Sequence, residues 1–263
     1  MFTWLRGSLS TCSFELVRSM TIQRITLFLG LALFPATMIM LVTYGAGAGG
    51  REIVFMETLI ILLVGLVGLL SLLLSASTGV YSELEGKSWV YVACRPSGRI
   101  STIFGKFLAA VILSYSVSLL AATLAVVAAQ LGGGLPKPEN FWLVTAGLLL
   151  LACIAYGAMF TMIGTLFYRR AMVFCAAYII VVEFMLANVP ALIRSFTIRC
   201  HLQELAILGY GWIMPLREEP YRLIYGEFPL WLNVLALLLF IGLALGISAF
   251  FVVRQEFITA DET

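Results

Sequence analysis

The residues with chemistry to offer are few. Glu83-Leu84-Glu85-Gly86-Lys87-Ser88 gathers two carboxylates, a glycine and a lysine. Glu183 stands inside an otherwise apolar run, and His201 is the single histidine. Gly86-Lys87-Ser88 ends like a phosphate-binding loop, but that loop needs a further glycine five residues before Gly86. That place is held by Tyr81, and Glu83 and Glu85 would repel a phosphate. There is no Gly-x-Ser-x-Gly elbow for a nucleophilic serine, and His201 would be its only histidine base. A lone histidine in an apolar segment reads as a packed or hydrogen-bonded residue. Cys12, Cys94, Cys153, Cys175 and Cys200 form no Cys-x-x-Cys pair and no zinc-ligand spacing. The sequence therefore predicts no catalytic residue and no metal ligand.

The elements that must position these residues follow from composition. Of the 263 residues, 62% are hydrophobic and 11% charged, against about 25% charged in a soluble domain. The mean hydropathy is +1.04. This is the composition of a multi-pass membrane protein. Apolar runs fall at 25–44, 54–76, 107–130, 141–167, 171–189 and 230–253. A spanning helix needs about 20 apolar residues, so the reading is an all-α polytopic protein of six transmembrane helices. The segments left over are too short for a separate nucleotide-binding or Rossmann domain. A net charge of +2 implies no attraction for nucleic acid.

Lysine and arginine set the orientation. One side holds Arg6, Arg18, Arg24, Lys87, Arg95, Arg99, Lys106, Arg169, Arg170 and Arg254. The other holds Arg51, Lys137, Arg194, Arg199, Arg217 and Arg222. The short Tyr168-Arg169-Arg170 loop weighs most, and both termini are placed in the cytoplasm. Residues 1–24 read as an amphipathic interfacial helix, with Phe2, Leu5, Leu9, Cys12 and Leu16 on one face. Residues 25–253 form the transmembrane domain, with a cytoplasmic loop at 77–106 and an external segment at 190–229. Residues 254–263 are a cytoplasmic tail. Within 190–229 an apolar stretch at 192–208 is too short to span and reads as an external helix or a re-entrant hairpin. Gly242 and Gly246 form a Gly-x-x-x-Gly pair in the last span, read as close packing within one subunit.

Glu83-x-Glu85-Gly86, followed by Pro96-x-x-Arg99 and then Gly105-Lys106 at the third span, resembles the ABC-2 permeases. These are the transmembrane subunits of ATP-binding-cassette exporters. The resemblance extends to the six spans, the amphipathic start, the long external segment, and the stretch from Glu183 through Asn188-Val189-Pro190 and Ile193-Arg194 to His201. Lys87 departs from it, since many members carry a small or hydroxyl residue there. The resemblance implies a multi-pass protein of the cell inner (cytoplasmic) membrane that forms a homodimer, or a heterodimer with a second permease. It also implies recruitment of separate ATPase subunits, which hold the ATP and magnesium, with no cofactor on this chain. On matching positions, Glu83, Glu85, Gly86 and Lys87 would insert into the ATPase, and Pro96, Arg99 and Lys106 would shape the return of the loop.

Glu183 lies about 18 Å into the fifth run at 1.5 Å per residue. A charge at the centre of a spanning helix costs roughly 2.5–3.5 kcal/mol on insertion scales, so the carboxyl group is expected to face protein or water. It either contributes to a translocation pathway or is a structural group held by a serine, a tyrosine or Arg194. The alternative function is a stand-alone ion-coupled carrier or intramembrane enzyme. That reading calls for several ionisable groups within the spans, where the sequence offers Glu183. The substrate is not encoded in any motif.

Overall fold

The computed structural model describes residues 2–45, 61–76, 83, 98–131, 138–185, 196–210 and 229–254. Among the described residues 97% are helical and none lies in a strand. Helix α1 is Phe2–Ser19 and α2 is Ile22–Gly45. Helix α3 opens with the wide turns of Ile61–Gly68 and continues as Leu69–Ala76. Helices α4 and α5 are Gly98–Leu131 and Pro138–Leu166. After a short turn at Tyr168–Arg170, α6 runs from Ala171–Tyr178 into a π-helical stretch, Ile179–Met185. Helices α7 and α8 are Ile198–Tyr210 and Leu230–Arg254.

Four helices, α2, α4, α5 and α8, are long and apolar enough to cross a membrane. The second and fifth runs are described over 61–76 and 171–185; their remaining residues lie outside the described set. Helix α4 has 34 residues, about 50 Å at 1.5 Å per residue, against a hydrocarbon core of about 30 Å. It begins at Gly98 rather than at 107, so Arg99 and Lys106 are carried on a helix and the loop ends before Gly98. The surplus length at its start is covered by α1.

Helix α4 packs against α1, α2, α3 and α5, and α5 in turn packs against α7 and α8. In lipid there is little hydrophobic drive between helices, so close approach of small residues decides the packing. Helix α4 supplies Ala121, Ala122, Ala125, Ala128 and Ala129, all buried against Ala32 and Ile39 of α2 and Leu63 and Val67 of α3. A second cluster joins Leu72 of α3, Val111 of α4, Tyr156 and Phe160 of α5, Leu202 of α7 and Leu237 of α8. Pro35 interrupts the hydrogen bonding of α2. Two residues on, the Thr37 hydroxyl donates to the Phe34 carbonyl at 2.8 Å.

Helix α1 turns Ser8, Cys12 and Ser19 inward and leaves Leu5, Leu9, Phe14 and Val17 exposed. The apolar face read from the sequence is therefore split: Leu5 and Leu9 face outward, and Cys12 is buried. The reason is steric. Gly105 of α4 lies so close to α1 that a Cβ there would fall 2.7 Å from the Ser8 carbonyl oxygen and 2.6 Å from Thr11 Cβ. Helix α1 thus docks by its small residues. The 190–229 segment contains the helix α7, and its 13 residues are short of a span. Among the described residues nothing packs on Gly242 or Gly246: a Cβ at either would meet none of them within 4 Å.

Candidate functional site: two buried polar centres

The first centre is built on Glu83, Lys106 and the end of α1. Lys106 Nζ lies 2.7 Å from Glu83 Oε1 and 3.1 Å from Glu15 Oε1. Arg18 Nη1 stands at 3.8 Å from Glu15 and 3.9 Å from Glu83. Glu15 and Arg18 are a helical i,i+3 pair, so α1 presents both groups on one side. The side chains of Lys106 and Glu83 are each 10% exposed, which makes their pairing the strong member of the set. Arg18 is 49% exposed, and its contacts are screened and weak. Among the described residues two cations thus face two carboxylates, and the α3–α4 connection is tied at Glu83 to both α1 and α4.

Of the residues singled out in that connection, the structure brings Glu83 and Lys106 together. Arg99 lies in the first turn of α4, where Nη1 donates to the Val253 carbonyl of α8 at 3.2 Å. Glu85, Gly86, Lys87 and Pro96 lie outside the described residues. Sequence reading passed over Glu15 and Arg18 as partners. Their i,i+3 spacing on a helix was a usable signal, but nothing local points to Lys106.

The second centre surrounds Glu183, which is 1% exposed. The Tyr156 hydroxyl of α5 donates to Oε2 at 2.9 Å, and the Tyr178 hydroxyl of α6 donates to Oε1 at 3.1 Å. The backbone N–H of Arg199 donates to Oε2 at 3.2 Å, and the Arg199 guanidinium donates to the Glu183 carbonyl at 3.1 Å. The backbone explains how Tyr178 and Glu183 meet. In an α-helix, residues five apart diverge by about 140°. The π-helical stretch Ile179–Met185 widens the turn to an i→i+5 repeat and brings them onto one side. Helix α7 brings its N-terminal amides to the same point. Thr197 Oγ1 accepts from Cys200 N–H at 3.3 Å, and Glu183 accepts from Arg199 N–H. A carboxylate at a helix N-terminus also opposes the helix dipole favourably.

Both oxygens of Glu183 are therefore acceptors for donors on three helices. Of the surroundings the sequence allowed for Glu183, protein or water, the structure shows protein, and of the partners serine, tyrosine or Arg194 it shows tyrosine. The cation beside it is Arg199; Arg194 lies outside the described residues. Tyr156 and Tyr178 were missed because a hydropathy scale counts tyrosine as part of an apolar run. A tyrosine hydroxyl buried in a span needs a partner, and that was the available signal.

His201, one residue beyond Arg199, points elsewhere. Its Nδ1 is 2.7 Å from Asn233 Oδ1 of α8, and Asn233 Nδ2 donates to Glu204 Oε2 at 3.5 Å. It is a hydrogen-bonded residue, as read from the sequence. Among the described residues no group of three or more His, Cys, Asp or Glu side chains could hold a metal ion.

The chain matches no protein-family model, and no curated protein sequence is similar to it.

Proposed function

We propose that this chain is the permease subunit of an ABC-2-type exporter. It dimerises in the bacterial cytoplasmic membrane and is driven by separate ATPase subunits that bind ATP and magnesium. The observation that carries this reading is the Lys106–Glu83–Glu15 ion cluster. A permease worked by a soluble ATPase needs its cytoplasmic loop fixed to the membrane helices, so that motion of the loop moves the bundle. Here the residue that opens the Glu83-x-Glu85-Gly86 motif is bonded to α4, and through Glu15 the cluster reaches α1. Force applied at Glu85, Gly86 and Lys87 would pass into two helices at once. The six-span arrangement with both termini cytoplasmic belongs to this reading, and α1 is then the interfacial helix at the entry to the first span. Glu183 would hold α7 on the fifth span at the outer side.

Affinity purification of the full chain from its native membranes tests the proposal. A polypeptide with a complete phosphate-binding loop should co-purify, and the isolated chain should hydrolyse no ATP. Loss of transport when that ATPase is removed completes the case.

The buried Glu183 gives the alternative its one supporting observation, because an ion-coupled carrier uses such a carboxylate. Nucleotide-free transport driven by an ion gradient in proteoliposomes of this chain alone would establish the carrier and overturn the permease.

A further inference from the structure

Where α1 turns into α2, a cavity of about 270 Å³ opens beside α4. Among the described residues its wall includes Glu15, Arg18, Arg24 and Lys106, with Ser75 and Leu113 deeper in. Arg24 immediately precedes the apolar run at 25–44, and Lys106 immediately precedes the run at 107–130. Two basic residues on adjacent helices thus mark one level, the boundary between hydrocarbon and headgroups. The cavity is slightly smaller than the ~300–1,000 Å³ of pockets for drug-sized molecules. That suits a compact polar head whose tails remain outside.

The charges decide which head. Lys106 and Arg18 are met by Glu83 and Glu15. Arg24 pairs with no carboxylate among the described residues. Among the described residues, positive charge is therefore left over at Arg24 in a cavity whose one lining carboxylate, Glu15, is already engaged. An ammonium-bearing zwitterionic head would have no carboxylate left to receive its cation. A phosphodiester carrying a single net negative charge would balance Arg24, with Arg18 able to swing toward it.

We infer that this cavity is a binding site for the phosphodiester head of a singly anionic phospholipid, held chiefly by Arg24. The inference does not depend on the proposed function.

The full chain, purified in detergent, would be exposed to equal amounts of phosphatidylglycerol and phosphatidylcholine with the same acyl chains. Retained lipid would be counted by native mass spectrometry. Preferential retention of phosphatidylglycerol is expected, with a loss of about fivefold for Arg24→Gln, the effect of one basic residue near a membrane surface. Arg6→Gln removes an exposed charge from α1 that does not line the cavity, and it should leave retention unchanged. Equal retention of the two lipids, or equal losses in the two variants, would overturn the site. Displacement of the lipid by excess inorganic phosphate would assign the cavity to a soluble phosphate compound and overturn the lipid. Arg24 is exposed, so Arg24→Gln should keep the wild-type unfolding temperature; a lowered one would make Arg24 a structural residue and also overturn the inference.

Discussion

Lys106 Nζ lies 2.7 Å from Glu83 Oε1, so a lysine within α4 closes a contact with a glutamate on the connection leading into that helix. The same ammonium is 3.1 Å from Glu15. Replacing Lys106 by Met removes the cation and leaves two carboxylates facing each other. Breaking a buried pair from one side costs about 3–5 kcal/mol, and the partial exposure here places the expected loss near 3 kcal/mol. Thermal unfolding in detergent measures it. Adding Glu15→Gln and Glu83→Gln to Lys106→Met should recover most of the loss, because the charge left behind, Arg18, is 49% exposed and stays hydrated.

Gly105 and Gly242 should respond in opposite ways to alanine. At Gly105 the new Cβ would press on the backbone of α1. A loss of about 1–3 kcal/mol is expected, as for other overpacked contacts, together with faster proteolysis of α1. At Gly242 the space is open, so alanine should hold or raise monomer stability by up to about 1 kcal/mol through helix propensity. If Gly242→Ala and Gly246→Ala instead abolish a dimer seen by crosslinking, this face is the subunit seam.

Around Glu183, the size of the loss should follow the number of donors stranded. Tyr156→Phe or Tyr178→Phe removes one hydrogen bond to a charged group, about 1.5–3 kcal/mol. Glu183→Gln keeps the volume but accepts through one oxygen, so its loss should be comparable. Glu183→Ala leaves both hydroxyls and the Arg199 amide without their acceptor, and it should be the worst of the series. Unfolding midpoints rank the variants. Transport separates the two roles of the residue. A pathway carboxylate loses transport in Glu183→Gln at normal expression, whereas a purely structural one tracks stability alone.

Reversing charge at Glu85 tests the coupling reading directly. Glu85→Arg should abolish ATPase co-purification while expression persists, since truncating or reversing a buried interfacial charge costs about 2–5 kcal/mol of association. A wild-type yield of complex would place Glu85 on a solvated loop.

Topology is open to thiol labelling, with the positions chosen by burial. Cys200 is buried, so it will not report on the outer side even if it lies there. Phe196 is 81% exposed, and Phe196→Cys supplies the outer probe. Arg254→Cys supplies the inner one, in a background with Cys94 replaced by Ser. An impermeant reagent applied to intact cells should label Phe196→Cys and spare Arg254→Cys. The reverse pattern would overturn the orientation.

The class of this protein was legible in its sequence because hydropathy is a local sum. A run such as 230–253 must be a helix in lipid whatever else it touches, since every backbone polar group has to be satisfied within the segment. Glu183 announced itself for the same reason: one carboxylate among apolar neighbours must find shelter. What shelters it could not be read locally. Tyr156 lies 27 residues away and Arg199 lies 16 away, and Tyr178 reaches it through a π-helical stretch that no residue pattern specified. The same holds for Glu15, Glu83 and Lys106, whose pairing spans three parts of the chain. Gly105 and Gly242 look alike in sequence, yet one admits a neighbouring backbone and the other faces open space. Periodicity and composition fix which residues can be inside a helix bundle. Which of them meet depends on how the helices approach one another, and that is a property of the packed structure.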